Sequence, residues 1–213
     1  MGIYYFPSNF VFWKKLPNHE NIKRRILDFI NTNPEILEPH RLIHNGKSSY
    51  SNIQLLEFVT SNHDICNSII WEPLHEVIRE LNSKELREKV NISSAHINDL
   101  WCSKYDANSR VSFHNHDHKR DVSYIDGIIY KPAFVFLYIV NDTNVSSGLE
   151  FIQPSSCGVS VYTSTETKLY TSKIKDIGEG TVMVFPANLY HQVEQIVESG
   201  RVIMSANIHC KFE

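Results

Sequence analysis

The sequence predicts a mainly β protein supported by N-terminal helices. Three features carry that expectation: apolar residues recur at helical spacing from about Asn18 to Val90, the pattern changes after Asn91 to short alternating runs, and turn residues separate those runs. In the first part Ile22, Ile26, Phe29 and Ile30 share one helical face, with Asn18 placed to cap it and Asn33-Pro34 placed to stop it. Ser51-Asn52-Ile53-Gln54 has the form of a capping box that opens a second helix through Leu55, Leu56 and Phe58. Leu74, Val77, Ile78 and Leu81 form the stripe of a third, with Pro73 in its first turn and Glu76, Arg79, Glu80 and Lys84 opposite. These helices read as supports with one buried side.

Strand-like runs then follow at 96–105, 109–114, 123–130, 133–140, 148–153, 158–163, 168–175, 181–185, 192–197 and 201–209. Asp126-Gly127, between Ile125 and Ile128, is a two-residue hairpin signal, and Ser147-Gly148, Gly178-Glu179-Gly180 and Ser199-Gly200 mark further turns. Many short strands at this spacing mean a sandwich, jelly roll or barrel. With no repeat or linker, one domain spans 1–213: a helical support over 1–95 and a β core over 96–213.

Composition narrows the function classes. The chain has 213 residues, 42% of them hydrophobic, enough for a sizeable core. A formal net charge of −3 argues against nucleic acid held on a broad basic surface. No apolar run reaches membrane-spanning length and the start lacks the layout of a secretory signal, so the expectation is a soluble, cytoplasmic protein with no membrane partner. Cys66, Cys102, Cys157 and Cys210 are scattered, without a CxxC pair, as reduced thiols are.

The densest chemical signal is Phe113-His114-Asn115-His116-Asp117-His118. Alternate side chains of an extended strand share a face, so His114 and His116 point together, and His118 joins them if the strand continues. Imidazole is the commonest neutral metal ligand, and two on one face make half a site. The bland alternative is a polar loop rich in histidine. A third ligand is offered by His191, which follows the Thr181–Phe185 run and a proline-containing turn; Arg201 lies ten residues further on, at the head of another apolar strand. Either residue alone would read as ordinary. The arrangement lifts both.

On these residues the C-terminal half, from about Trp101 to Asn207, resembles the Fe(II)- and 2-oxoglutarate-dependent oxygenases, particularly the prolyl-hydroxylase-like branch and its small stand-alone bacterial and phage relatives. Tyr105 precedes His114 by nine residues; Phe136–Asp142 with Ser147–Phe151 resembles the family's strand, turn and strand; Gly180–Pro186 with Leu189-Tyr190-His191 resembles the approach to its distal histidine; Arg201–Asn207 resembles its closing strand. The resemblance implies a double-stranded β-helix, a jelly-roll or cupin-like fold. It further implies an enzyme that couples conversion of 2-oxoglutarate to succinate and CO2 with hydroxylation of a C–H bond, using Fe(II) and dioxygen. The metal ligands would be His114, His116 and His191. Arg201 would hold the far carboxylate of 2-oxoglutarate through paired charge-assisted bonds, helped by hydroxyls of Tyr138, Ser205 and Tyr105, although Tyr138 reads equally as core packing.

One departure matters. The family places aspartate where this chain has His116; some stand-alone relatives share the HxH form. Three neutral imidazoles leave the full double charge on the metal. Asp117, brought round by a bend, and His118, paired with His116 in another register, are reserve ligands. Two rival readings stay open: a three-histidine cupin dioxygenase that needs no keto acid, and a non-catalytic metal- or sugar-binding jelly roll. Trp101 reads as packing or as lining of the barrel mouth, and 119–130 and 141–147 as rim loops. A peptide, a free amino acid or a small metabolite would each suit as substrate. Oligomeric state is not readable from the sequence.

Overall fold

The structure, a computed structural model, describes residues 2–6, 9–50, 52–83, 90–117, 122–142, 148–152 and 168–213. Strands β1 (Gly2–Phe6) and β2 (Asn9–Lys15) open the chain, followed by α1 (His19–Thr32), β3 (Glu38–Pro39), β4 (Ile43–Ser48), α2 (Ile53–Ser61), α3 (His63–Cys66), a π-helical turn (Asn67–Trp71) and α4 (Glu72–Ser83). The long strand β5 (Ile92–His114) follows, then β6 (Ser123–Ile125), β7 (Ile128–Asn141), β8 (Leu149–Ile152), β9 (Lys168–Tyr170), β10 (Thr181–Pro186), β11 (Tyr190–Val193) and β12 (Arg201–Phe212). The antiparallel sheet runs β1-β2-β10-β7-β12-β5-β11-β8-β9, and β4 pairs with the edge of β5 opposite to that used by β12 and β11.

Period-two alternation makes two cores from one sheet. On β7, Phe134, Phe136, Tyr138 and Val140 face the helices, where they meet Ile22, Ile26, Ile30, Leu55, Val59, Leu74 and Val77. The intervening Val135, Leu137 and Ile139 face the other way, into a second cluster with Met183, Phe185, Leu149, Phe151 and Ile203. A sheet whose inner face closes on an apolar interior while helices cover its back is a jelly roll on a helical support. The three described cysteines are buried free thiols; Cys157 lies outside the described residues.

Several sequence expectations change. The segment 1–95 is not purely helical: it supplies β1 to β4, and β2 pairs with β10. Apolar alternation in Asn9–Lys15 is short and adjoins a helix start, so only pairing with β10 makes it a strand. The runs at 96–105 and 109–114 are one strand, bent where Asn108 takes φ 66°, a left-handed conformation that asparagine tolerates. The second helix is capped by Asn52, whose side chain accepts from Gln54 N–H at 2.9 Å, while Ser51 lies outside the described residues. Asn18 precedes α1 without a side-chain capping bond. The 168–175 run yields only a three-residue strand before a 3-10 turn, and the expected strand at 158–163 falls outside the described residues.

Gly46 lets β4 approach β5. A Cβ there would meet Ile43 Cγ2 at 2.6 Å and the Lys104 carbonyl at 2.9 Å. Gly46→Ala is therefore expected to force β4 outward and cost about 1–3 kcal/mol, read as a fall in the denaturant midpoint; an unchanged midpoint would show that this close approach is not needed.

Candidate metal centre

His114 ends β5 and sits opposite His191 of β11 in the antiparallel register. The strand stops there, so His116 is not presented by simple alternation. The chain bends, and the His116 N–H donates to the Ala187 carbonyl at 2.8 Å, which ties the bend to the turn between β10 and β11 and accompanies a His116 ring 5.2 Å from those of His114 and His191. Ligand atoms of His114, His116 and His191 lie within 4.8 Å of one another. The rings of His116 and His191 are nearly parallel, 5.2 Å apart at 8°, and His114 lies 4.3 Å from His191 at 51°.

The nitrogens are prepared for a cation. His114 Nδ1 meets the Ser112 carbonyl at 2.8 Å and His191 Nδ1 meets the Leu189 carbonyl at 3.1 Å. A carbonyl can only accept, so each Nδ1 carries the proton and each Nε2 keeps a lone pair. His191 is buried against Phe185 and Phe151, and burial, followed by the charges of His114 and His116, drives its pKa well below the usual imidazole range. It stays neutral, as a ligand must. A divalent ion fits this donor set.

The three rings open onto a cavity of about 340 Å³. Its inner wall includes Tyr105, Val111, Val135, Leu137, Leu149 and Val193, and Ser205 and Asn207 contribute polar atoms. Burial pushes the Tyr105 phenol up to about 12, against smaller opposing pulls from a Ser103 hydrogen bond and the Arg201 charge, so Tyr105 remains a hydrogen-bond donor. Arg201 is Tyr105's register partner and shares the inward face of β12 with Ile203 and Ser205, although it is not among the cavity-lining residues. Its side chain is 2% exposed and Nη2 donates to Asp142 Oδ2 at 3.1 Å, while Nε and Nη1 are buried with no hydrogen-bond partner among the described residues. Unmet buried donors on a cation are costly, and an anionic ligand would satisfy them.

Tyr138 is not brought to this site. It lies on the opposite face of β7, in the helix-facing core, and its hydroxyl is 2.7 Å from His19 Nδ1. Asp117 is exposed and outside the cluster, because the bend that seats His116 turns its neighbour to solvent. His118 lies outside the described residues. The rim also differs from expectation. Of the expected rim loops, 119–121 and 143–147 are outside the described residues, and the hairpin at 123–130 does not line the cavity. Instead His40, Arg41, Leu42 and Tyr50 do, with Tyr50 edge-on to Trp101 at 5.3 Å and Trp101 stacked on His116 at 5.8 Å. Nothing in the local sequence at 40–50 marks these residues; the pairing of β4 with β5 delivers them.

No family model and no curated protein matches the sequence. Among solved structures, the chain is similar to HygX from Streptomyces hygroscopicus with nickel and 2-oxoglutarate bound, at TM-score 0.54 and 12% identity over 93% of this chain and 82% of that one. It is likewise similar to HygX with hygromycin B also bound, at TM-score 0.53 and 10% identity over 93% and 81%. A prolyl hydroxylase from Trichoplax adhaerens, in complex with a hypoxia-inducible-factor oxygen-degradation-domain peptide, gives TM-score 0.54 and 10% identity over 92% and 82%. At these identities the likeness establishes a shared fold. No helix among the described residues is long and apolar enough to cross a membrane.

Proposed function

We propose that the chain is an Fe(II)- and 2-oxoglutarate-dependent oxygenase that hydroxylates a peptide side chain, an amino acid or a small metabolite. The observation that carries this reading is the meeting of His114, His116 and His191 at a jelly-roll cavity, with a buried arginine on the same inner face whose Nε and Nη1 have no partner among the described residues. Structural neighbours that hold 2-oxoglutarate with nickel, or iron, support it.

When bound, the iron supplies the oxidising chemistry with dioxygen and the keto acid. The chain's own residues do the rest. Three imidazole nitrogens hold the ion on one side and leave its remaining positions to ligands. Arg201 and the Tyr105 hydroxyl take the far carboxylate, and the Ser205 hydroxyl lines the same cavity. Val135, Leu137, Leu149 and Val193 keep the interior apolar, which excludes water and strengthens the charged contacts. Trp101 and Tyr50 form one wall of the mouth, where a substrate would lie.

Purified protein given Fe(II) and 2-oxoglutarate anaerobically should develop a metal-to-ligand charge-transfer band, and in air should form succinate even without its prime substrate. Tight metal binding with no effect of keto acid would favour the three-histidine cupin dioxygenase, a reading that gains support from the engagement of Arg201 by Asp142. Metal binding with no oxygen consumption under any condition would favour the non-catalytic jelly roll.

A further inference from the structure

Asp142 directly follows the last residue of β7, and its placement is built. Its backbone N–H donates to Glu179 Oε2 at 2.9 Å, and Glu179 is itself held by Lys23 Nζ at 2.5 Å and faces His19 Nε2 at 3.2 Å. Next to it, Asn141 Nδ2 donates to the Gly200 carbonyl at 2.7 Å, immediately before Arg201. These bonds lock the end of β7 to the start of β12 and set the Asp142 carboxylate, 8% exposed, against the Arg201 guanidinium.

The formal charges then add up in an informative way. With three neutral imidazoles a divalent ion keeps both positive units at the metal end, and Arg201 is cancelled by Asp142 at the far end. A triad containing one carboxylate would leave one positive unit at the metal and one on the arginine. Summed over the metal, its three ligands and the interior arginine with its partner, either arrangement totals two positive units; Arg41 at the mouth is common to both. Only the distribution differs.

Resting on the oxygenase reading above, we propose that Asp142 is a specificity-determining residue, the negative charge missing from the metal ligands relocated onto the interior arginine. It keeps the site balanced for a doubly charged 2-oxo acid while weakening the hold on the far carboxylate relative to the metal-chelating end. A unit charge acting over ~10 Å at an effective dielectric of about 20 changes an affinity by roughly an order of magnitude, so the effect is measurable.

The test titrates anaerobic, Fe(II)-loaded protein with 2-oxoglutarate and with 2-oxovalerate, which keeps the carbon chain and lacks the far carboxylate. Asp142→Asn should raise the preference for 2-oxoglutarate over 2-oxovalerate by roughly tenfold or more. An unchanged or reduced preference, in a variant that melts as a folded protein, overturns the inference and leaves the oxygenase reading standing. Because Asp142→Asn strands a buried guanidinium and could fail to fold, His116→Asp serves as a second variant that leaves the far pair intact. It adds a second negative charge to the site and should weaken 2-oxoglutarate roughly tenfold or more; affinity equal to the parent's or tighter overturns the inference. A parent protein that binds neither acid overturns this inference and the co-substrate reading together.

Discussion

His191→Ala is expected to remove metal binding almost entirely. The loss should exceed the roughly 10–100-fold that follows removal of an outer-shell partner, because His191 is itself one of the three proposed ligands and the most enclosed of them. Metal that binds the folded state alone stabilises it by RT ln(1 + [L]/Kd), about 4 kcal/mol at a thousandfold excess over Kd. Stripping metal with a chelator should therefore lower the melting temperature of the parent protein and leave that of His191→Ala unmoved. The comparison also separates the ligand role from packing: the variant loses a ring that touches Phe151 and Phe185, so its metal-free form should melt below the metal-free parent whatever the ion does. If His191→Ala binds metal as tightly as the parent and responds to chelator in the same way, the three imidazoles are not a metal centre.

Arg201→Ala should act on two quantities at once. The first is stability: Arg201 and Asp142 are a buried pair, and deleting one partner leaves an uncompensated charge, a loss of about 3–5 kcal/mol. The second is co-substrate affinity. In the proposed oxygenase, loss of the guanidinium removes the charge-assisted contact to the far carboxylate, and 2-oxoglutarate should bind at least ~100-fold more weakly by the usual size of such losses, with metal affinity retained. Adding Asp142→Asn to Arg201→Ala removes the stranded carboxylate, so it should recover part of the stability and none of the 2-oxoglutarate affinity. A variant that keeps full keto acid binding would instead place the far carboxylate elsewhere, or favour a reaction that uses no keto acid.

What could be read before folding, and what could not, divides along short-range and long-range physics. Alternation fixed which residues of β7, β10 and β12 share a face, and the helical stripe of Ile22, Ile26 and Ile30 is buried as its spacing implies. The HxH cluster stood out because clustered imidazoles at alternate positions are visible in the chain itself, and His191 because of its place before Arg201. Alternation does not say which of two faces is inside. Tyr138 and Ile139 occupy opposite faces of the same strand, and only the covering helices decide that the tyrosine meets His19 while Ile139 points into the barrel.

The sequence by itself therefore determined that strands dominate after Asn91, and it singled out the candidate ligands. Tertiary structure alone decided the rest: that His116 arrives through its bond to Ala187, that Asp142 faces Arg201, and that Arg41 and Tyr50, on the two sides of β4, come to the mouth. The physical reason is sequence separation. Periodicity encodes what a residue does relative to its neighbours, whereas pairing of β4 with β5 and the closure of β7 onto β12 join segments far apart in the chain, and no local propensity records which distant partner a strand edge or a charged group will meet.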